Sequence, residues 1–169
     1  MQVPHLVQYQ GSKRNLAPEI VRYFPAQIER LIEPFCGTAA ISIYVAAQGK
    51  AKSFLLNDIN SPLVNLLENC VDSPGTLCQG YQHIWEGQFG EGVDSVEYFH
   101  KMRNEFNQFP TPSLMLFMLA RVVKGAVRYN SNGQMNQSCD KRRYGTNPER
   151  IRENADAISK LKGKNNFSE

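Results

Sequence analysis

Arg30-Leu31-Ile32-Glu33-Pro34-Phe35-Cys36-Gly37-Thr38-Ala39 reads as a short apolar strand, Arg30 to Glu33, running into a tight turn at Cys36-Gly37. Thr38 is the expected N-cap of the Ala/Ile-rich helix that follows to Gln48, and Gly49 is its expected stop. Ser53 to Asn57 is a second strand, ending in the turn Asp58-Ile59-Asn60, and Pro62 opens another helix through Leu63, Leu66 and Leu67. Strand, helix, strand, helix is the pattern of a parallel, doubly wound α/β sheet. Upstream, Leu16, Ile20 and Phe24 share one face of a short helix closed by Pro25.

Beyond Cys70 the pattern changes. Asp72-Ser73-Pro74-Gly75 reads as a turn, and Gly87 to Gly92 is glycine-rich. Ser95–Phe106 and Ser113–Val123 read as helices, and no strand pattern appears between them, so the region is a helical insert. Tyr129 to Tyr144 is a polar loop or hairpin. Asn147-Pro148-Glu149 opens a last helix striped by Ile151, Ala155, Ile158 and Leu161. The expected division is 1–72, 73–146 and 147–169.

The bulk numbers exclude several classes. With 169 residues, 41% hydrophobic and 21% charged, the chain has an ordinary globular composition. No segment approaches a membrane span, and Met1-Gln2-Val3-Pro4-His5 lacks the layout of a secretory signal, so a cytoplasmic protein is expected. Cys36, Cys70, Cys78 and Cys139 form no CxxC pair and have no histidine at zinc spacing, so reduced thiols and no metal are expected. His5, His83 and His100 stand in no motif. Residues 1–120 carry 8 Lys+Arg against 11 Asp+Glu, whereas residues 121–169 carry 11 against 5. A basic C-terminal third fits a phosphate-contacting face, although charge alone fits a solvated surface equally well.

Gly37 stands where backbone must approach a ligand closely and helix N–H groups are unpaired. Asp58, 21 positions later at the end of the next strand, is placed to accept hydrogen bonds from ribose hydroxyls. A dinucleotide fingerprint needs three glycines, whereas Thr38-Ala39-Ala40-Ile41 has none, which disfavours a nicotinamide cofactor.

Tyr9-Gln10-Gly11-Ser12-Lys13, Glu33-Pro34-Phe35-Cys36-Gly37-Thr38-Ala39 and Asn57-Asp58-Ile59-Asn60, in that order and at those spacings, resemble the cofactor half of the D12-class, Dam-like adenine-N6 DNA methyltransferases. The resemblance implies a Rossmann-like fold that binds S-adenosyl-L-methionine (SAM), which has no pyrophosphate to cradle. It places Tyr9, Gly11, Lys13, Phe35, Gly37 and Asp58 in the cofactor site. Tyr9 would line the pocket and Lys13 would pair with the methionine carboxylate, a task suited to a mobile point charge. The family's usual second glycine is Ala39 here, where the added methyl could crowd the cofactor.

The segment from Arg121 to Asn130, with Gly133-Gln134-Met135-Asn136, resembles the family's target-recognition hairpin, Met135 replacing the usual Phe. Lys124, Arg128, Tyr129, Asn130, Asn136, Lys141, Arg142 and Arg143 are the expected contacts to double-stranded DNA. Arg and Lys neutralise phosphates, Arg and Asn can read guanine and adenine edges, and Tyr129 can stack or wedge when a base leaves the helix. The resemblance runs collinearly from Tyr9 to about Tyr144.

No Pro-Pro pair occurs in the sequence, so the Asp-Pro-Pro-Tyr type loop with which such enzymes hold the flipped adenine is not among these residues; Asn107-Gln108-Phe109-Pro110 lacks both its acid and its paired prolines. No catalytic residue is assigned. Two readings follow. One is the N-terminal portion or subunit of a SAM-dependent adenine methyltransferase, with the catalytic loop on a further segment or second polypeptide, giving a partial doubly wound sheet with a helical DNA-recognition insert. The other is a degenerate module that binds DNA, and SAM as an option, without transferring methyl.

Overall fold

The computed structural model describes residues 3–162 and 166–168. A short helix, α1 (Ala17–Val21), precedes strand β1 (Ile28–Glu33), helix α2 (Ala40–Ala47), strand β2 (Ala51–Leu56) and helix α3 (Ser61–Asp72). Three further helices follow, α4 (Pro74–Gly87), α5 (Ser95–Gln108) and α6 (Pro112–Arg121), then a 3-10 turn at Val123–Gly125 and an irregular stretch. Helix α7 (Pro148–Lys162) leads to β3 (Asn166–Ser168).

The sheet has three parallel strands in the order β1-β2-β3. Leu31 pairs with Phe54, and Phe54 with Phe167. This is a small parallel sheet in a mixed α/β chain. Helix α2 packs on β1 and β2, and α3, α4, α6 and α7 pack on one another. One continuous core runs from Leu6 through Phe54, Leu63, Tyr81 and Phe117 to Leu161. It includes α4 and α6, so residues 73–146 share the core of the sheet region. Helix α5 reaches the rest chiefly through α6.

Local chemistry explains most boundaries. Asp94 Oδ1 accepts from the N–H groups of Val96 (2.8 Å) and Glu97 (2.9 Å), capping α5. Thr111 Oγ1 accepts from Leu114 N at 3.2 Å to cap α6, and Asn147 Oδ1 accepts from Glu149 N at 2.9 Å before α7. The stripe Ile151, Ala155, Ile158 and Leu161 is buried as its spacing requires.

Two elements differ from the sequence reading. Thr38 does not cap α2: the chain adopts left-handed backbone at Gly37 and again at Ala39, so the helix starts at Ala40 with Ala39 as N-cap. Asp72 to Gly75 is not an open turn either. Helix α3 ends at Asp72 and α4 begins at Pro74, with Ser73 alone between them. Gly80 makes that second helix possible, because a Cβ there would crowd Ser113 on α6, 3.0 Å from its Cβ. A glycine that weakens a helix by propensity here admits a close helix contact.

Candidate functional site

The ends of β1 and β2 are laced together. Asn57 N donates to Glu33 O at 3.0 Å, and Cys36 N donates to Asn57 O at 2.9 Å, which brings the two turns level. Gly37, at φ 51°, then donates its N–H to Asp58 Oδ2 at 2.8 Å, while Asp58 Oδ1 accepts from Asn60 N at 3.0 Å. Asp58 is therefore a strut between the two loops. A carboxylate has about four acceptor positions, so capacity remains for a ligand's hydroxyls.

Tyr9 completes this corner. Its ring lies 3.5 Å from the point where a side chain on Gly37 would begin. Burial, followed by the nearby Asp58 carboxylate, raises the Tyr9 phenol pKa. The segment turns back through Ser12 N to Tyr9 O (3.1 Å), with Gly11 at φ 87°, and Lys13 Nζ donates to Gly11 O at 2.8 Å. Tyr9, Lys13, Phe35, Gly37, Thr38 and Asp58 line a cavity of about 400 Å³. That falls within the range of small-molecule sites, roughly 300–1,000 Å³. A second cavity of about 380 Å³ shares Tyr9, Gly11, Ser12 and Thr38 and has an apolar floor of Leu63, Leu66 and Ile158.

Three residues beyond the motif assignments matter here. Glu33 also lines the cavity, and its Oε2 accepts from Ser42 N and Ser42 Oγ; burial raises its pKa. It ties β1 to α2. Asn60 props Asp58. Ile59 is 97% exposed directly after the carboxylate, and Phe35 is 88% exposed on the facing turn. The available signal was position: a large apolar residue directly after the Asp58 turn. Cys36 carries a thiol that burial, then Glu33 and Asp58, push up to about 12, which favours its protonated form. Among the described residues no group of His, Cys, Asp and Glu side chains is arranged to hold a metal ion, and no helix is long and apolar enough to cross a membrane.

The segment around Tyr129 and Met135 forms a hairpin. Tyr129 bridges Met135 in antiparallel fashion, and Asn130 N donates to Gln134 O at 2.8 Å. Asn130 Oδ1 accepts from the N–H groups of Asn132 and Gln134, each at 2.9 Å, so its side-chain carbonyl closes the turn. Arg128 and Asn136 are exposed. Met135 is 1% exposed, clamped by Asn107 on α5, which donates to Met135 O (3.0 Å) and accepts from Met135 N (2.8 Å). Arg103 Nη1 donates to Asn136 O (3.2 Å) and Gln137 O (2.7 Å).

Hairpin and cavity meet at two points. Tyr129 Oη donates to Asn60 Oδ1 at 3.2 Å, continuing the line Gly37–Asp58–Asn60. Gln10 N donates to Gly125 O at 3.2 Å, and a Cβ on Gly125 (φ 61°) would overlap the Gln8 carbonyl. Lys124, exposed beside this joint, is itself left-handed at φ 56°. Lys141, Arg142 and Arg143 are exposed, but the Nε atoms of Arg142 and Arg143 lie 3.4 and 3.7 Å from the Asp140 carboxylate, leaving Lys141 outside that cluster. The loop is anchored from within by Arg121, 1% exposed. Its guanidinium donates to the carbonyls of Asp140 (2.8 Å), Ser95 (3.2 Å) and Arg143, between the rings of Phe99 and Tyr144.

Comparison with known proteins gives a consistent picture. Residues 9–169 match the family model of the D12 class N6 adenine-specific DNA methyltransferases. The chain is 28% identical over 134 residues to a DNA adenine methylase of Haemophilus influenzae, covering 77% of this chain and 44% of that protein. It is 27% identical over 137 residues to the type II methyltransferase M1.LlaDCHI of Lactococcus lactis subsp. cremoris, covering 76% of this chain and 45% of that protein. To the type II methyltransferase M.MjaIII of Methanocaldococcus jannaschii it is 23% identical over 149 residues, covering 80% and 52%. The chain thus spans about half the length of these curated relatives.

Proposed function

This chain belongs to the D12 class N6 adenine-specific DNA methyltransferases, and from that premise we propose that it supplies the cofactor-binding and DNA-binding parts of a SAM-dependent adenine-N6 methyltransferase. The loop that holds the target adenine is supplied by a further segment or a second polypeptide. The reading takes the sheet as the start of a doubly wound, Rossmann-like one.

The observation that carries it is the hydrogen bond from Gly37 N–H to Asp58 Oδ2 at the edge of the cavity that Tyr9 and Lys13 also line. The donor set fits SAM. Asp58 has acceptor capacity for ribose hydroxyls, Ile59 and Phe35 offer exposed apolar surface for an adenine ring, and Lys13 offers an ammonium to the methionine carboxylate. When bound, SAM supplies the electrophilic methyl group. Gly37 and Thr38 approach the ligand, Tyr9 closes one wall, and Asp58 orients the ribose.

DNA binding follows the same division. Lys124, Arg128, Lys141, Arg142 and Arg143 neutralise phosphates, Arg128 and Asn136 face base edges while Asn130, its carbonyl taken by the turn, holds the hairpin tip that presents them, and Tyr129 stacks as the adenine leaves the duplex. The lone pair of adenine N6 is delocalised into its ring, so transfer needs an acid and a carbonyl to hold the amino group as it pyramidalises. Among the described residues, the two acids on the cavity are committed elsewhere, Glu33 to Ser42 and Asp58 to Gly37 and Asn60, and the reading therefore expects the chain to be inactive by itself.

The test is tritiated-SAM transfer to adenine-containing duplex, with the chain alone and with a polypeptide bearing an Asp-Pro-Pro-Tyr type loop. Transfer only in the second case, with the two polypeptides copurifying, is the expected result. Transfer by the chain alone at whole-enzyme rates overturns the divided-enzyme reading. Failure of calorimetry to detect SAM binding in either preparation overturns the cofactor reading.

A further inference from the structure

A cavity of about 320 Å³ lies between α5 and the recognition hairpin, and its walls are mostly amide side chains. On α5, positions 103, 104, 107 and 108 share one helix face. Two of them are committed to the hairpin: Asn107 bonds both backbone groups of Met135, and Arg103 bonds the carbonyls of Asn136 and Gln137. The other two, Asn104 and Gln108, are exposed, and their side-chain amides make no hydrogen bond with a described residue. Asn136 faces the same space, and its bonds to described residues run through its backbone rather than its amide.

This surface is chemically unlike the basic loop. Arg103 is the one cation on the cavity wall and its Nη1 is taken by hairpin carbonyls; its Nε is buried without a protein partner among the described residues. The adjoining stripe of α5 mixes Glu97 and Glu105 with Lys101 and His100, so it lacks the concentrated positive charge of the basic loop. Neutral amides present a donor and an acceptor together, the complement of adenine N6 and N7 in the major groove. The clamp from Asn107 also fixes the spacing between the helix face and the hairpin, which a base-reading surface requires.

We propose that this cleft reads base edges in duplex DNA, with Asn104 and Gln108 as sequence-specificity residues lying outside the hairpin. The proposal rests on the reading that the hairpin docks on DNA. It predicts that α5 contributes to recognition at base pairs beside those read from Arg128 and Asn136.

The test is selection from a randomised duplex library by the full chain, followed by sequencing of the bound pool. It is run on wild type and on the Asn104→Ala/Gln108→Ala double variant, with folding checked by circular dichroism. Both side chains are exposed and partner-free, so the variant is expected to fold. Wild type should yield a consensus, and the double variant should lose discrimination at one or two positions by about tenfold or more. Affinity for unrelated duplex and the salt dependence should not change. Asn104→Asp should shift the preference at its position towards cytosine, whose N4 donates to a carboxylate. An unchanged consensus, or weakening spread evenly over all sequences, overturns the proposal while leaving the DNA-binding reading intact. A wild-type chain that retains no duplex overturns both.

Discussion

The corner formed by Gly37 and Asp58 and the hairpin around Tyr129 and Met135 are both turns, but they are held in opposite ways. Gly37, Asp58 and Asn60 brace one another across two adjacent parallel strands, so the corner is supported by its own motifs. The hairpin is supported from elsewhere: Asn107 and Arg103 reach it from α5, 28 to 34 residues upstream. One region is self-bracing and the other is borrowed, and they touch at Gly125 and at the Tyr129–Asn60 bond. Removing the joint should damage both regions, whereas removing either support should damage only one.

The joint gives the largest expected effect. Gly125→Ala places a Cβ on the Gln8 carbonyl and forces a left-handed alanine, so the Gln8–Gln10 segment must shift. Overpacking of this kind costs about 1–3 kcal/mol, and the backbone conformation adds about 1–2. Urea unfolding should register a loss of about 3 kcal/mol, with SAM and DNA binding both reduced. A variant that loses only one of the two activities would mean the regions are not joined here.

Next is Asp58→Ala, which removes the acceptor for two backbone N–H groups and for the proposed ribose hydroxyls. Loss of charged hydrogen bonds of this kind is worth about 1.5–3 kcal/mol, or about tenfold to a hundredfold in SAM affinity. DNA affinity should change little. Calorimetry giving wild-type SAM affinity for this variant would remove Asp58 from the cofactor site. The mirror experiment is Asn107→Ala, which frees the buried backbone of Met135 at a cost of about 1–3 kcal/mol. DNA binding should fall and amide exchange at residues 130–136 should rise, while SAM affinity holds. Equal loss of both activities would show that the hairpin braces the cavity rather than merely adjoining it.

This asymmetry explains what the sequence disclosed. The strands around Gly37 and Asp58, the helices begun near Ser95 and Ser113, and the last helix opened by Asn147 were legible because their signals are local: a turn glycine, an apolar stripe with a period of 3.6, and an Asn-Pro start. The 2.8 Å contact between Gly37 and Asp58 is a short-range consequence of two parallel strands ending level. Helix α4 was missed because Asp72-Ser73-Pro74-Gly75 read as a turn, and the close approach to Ser113 that suits Gly80 comes from a different helix. Asn107 and Arg103 carry no motif, and Arg121, although it opens the segment that resembles the target-recognition hairpin, was given no role; each acts through backbone groups whose positions exist only once the chain is folded. Asn130 was legible as a hairpin residue, but its part in closing the turn depends on where Asn132 and Gln134 lie.

A smaller effect separates the members of the basic run. Each phosphate-neutralising side chain contributes about one unit to the slope of log affinity against log salt. Arg142 and Arg143 stand beside Asp140, whose carboxyl is held below its ordinary range first by the Arg142 backbone N–H and then by both guanidinium groups. Lys141→Ala should therefore flatten the slope by about one unit, and Arg142→Ala or Arg143→Ala by less. Equal effects at all three positions, measured by filter binding from low to moderate salt, would mean that Asp140 gives up its partners on DNA.

The smallest effect concerns Ala39, where the family's usual second glycine is replaced. Ala39 sits at φ 51°, left-handed and 1% exposed, so it combines backbone strain with a buried methyl group. The strain of a left-handed alanine is about 1–2 kcal/mol. Ala39→Gly relieves it, but gives up about 0.8 kcal/mol of methyl burial and about 0.4–1 kcal/mol because the unfolded chain becomes freer. These terms nearly cancel, and urea unfolding should shift by less than about 1 kcal/mol in either direction. SAM affinity should follow suit, because the Tyr9 ring lies against Gly37 and the Ala39 methyl is buried in the core rather than facing the proposed ligand cavity. A stabilisation well above that bound would show that the loop is strained beyond its backbone angles and that the self-bracing by Asp58 holds it there. A loss of similar size would show instead that the alanine methyl is a packing element of the corner, making this half of the molecule as dependent on a neighbour as the hairpin is on α5.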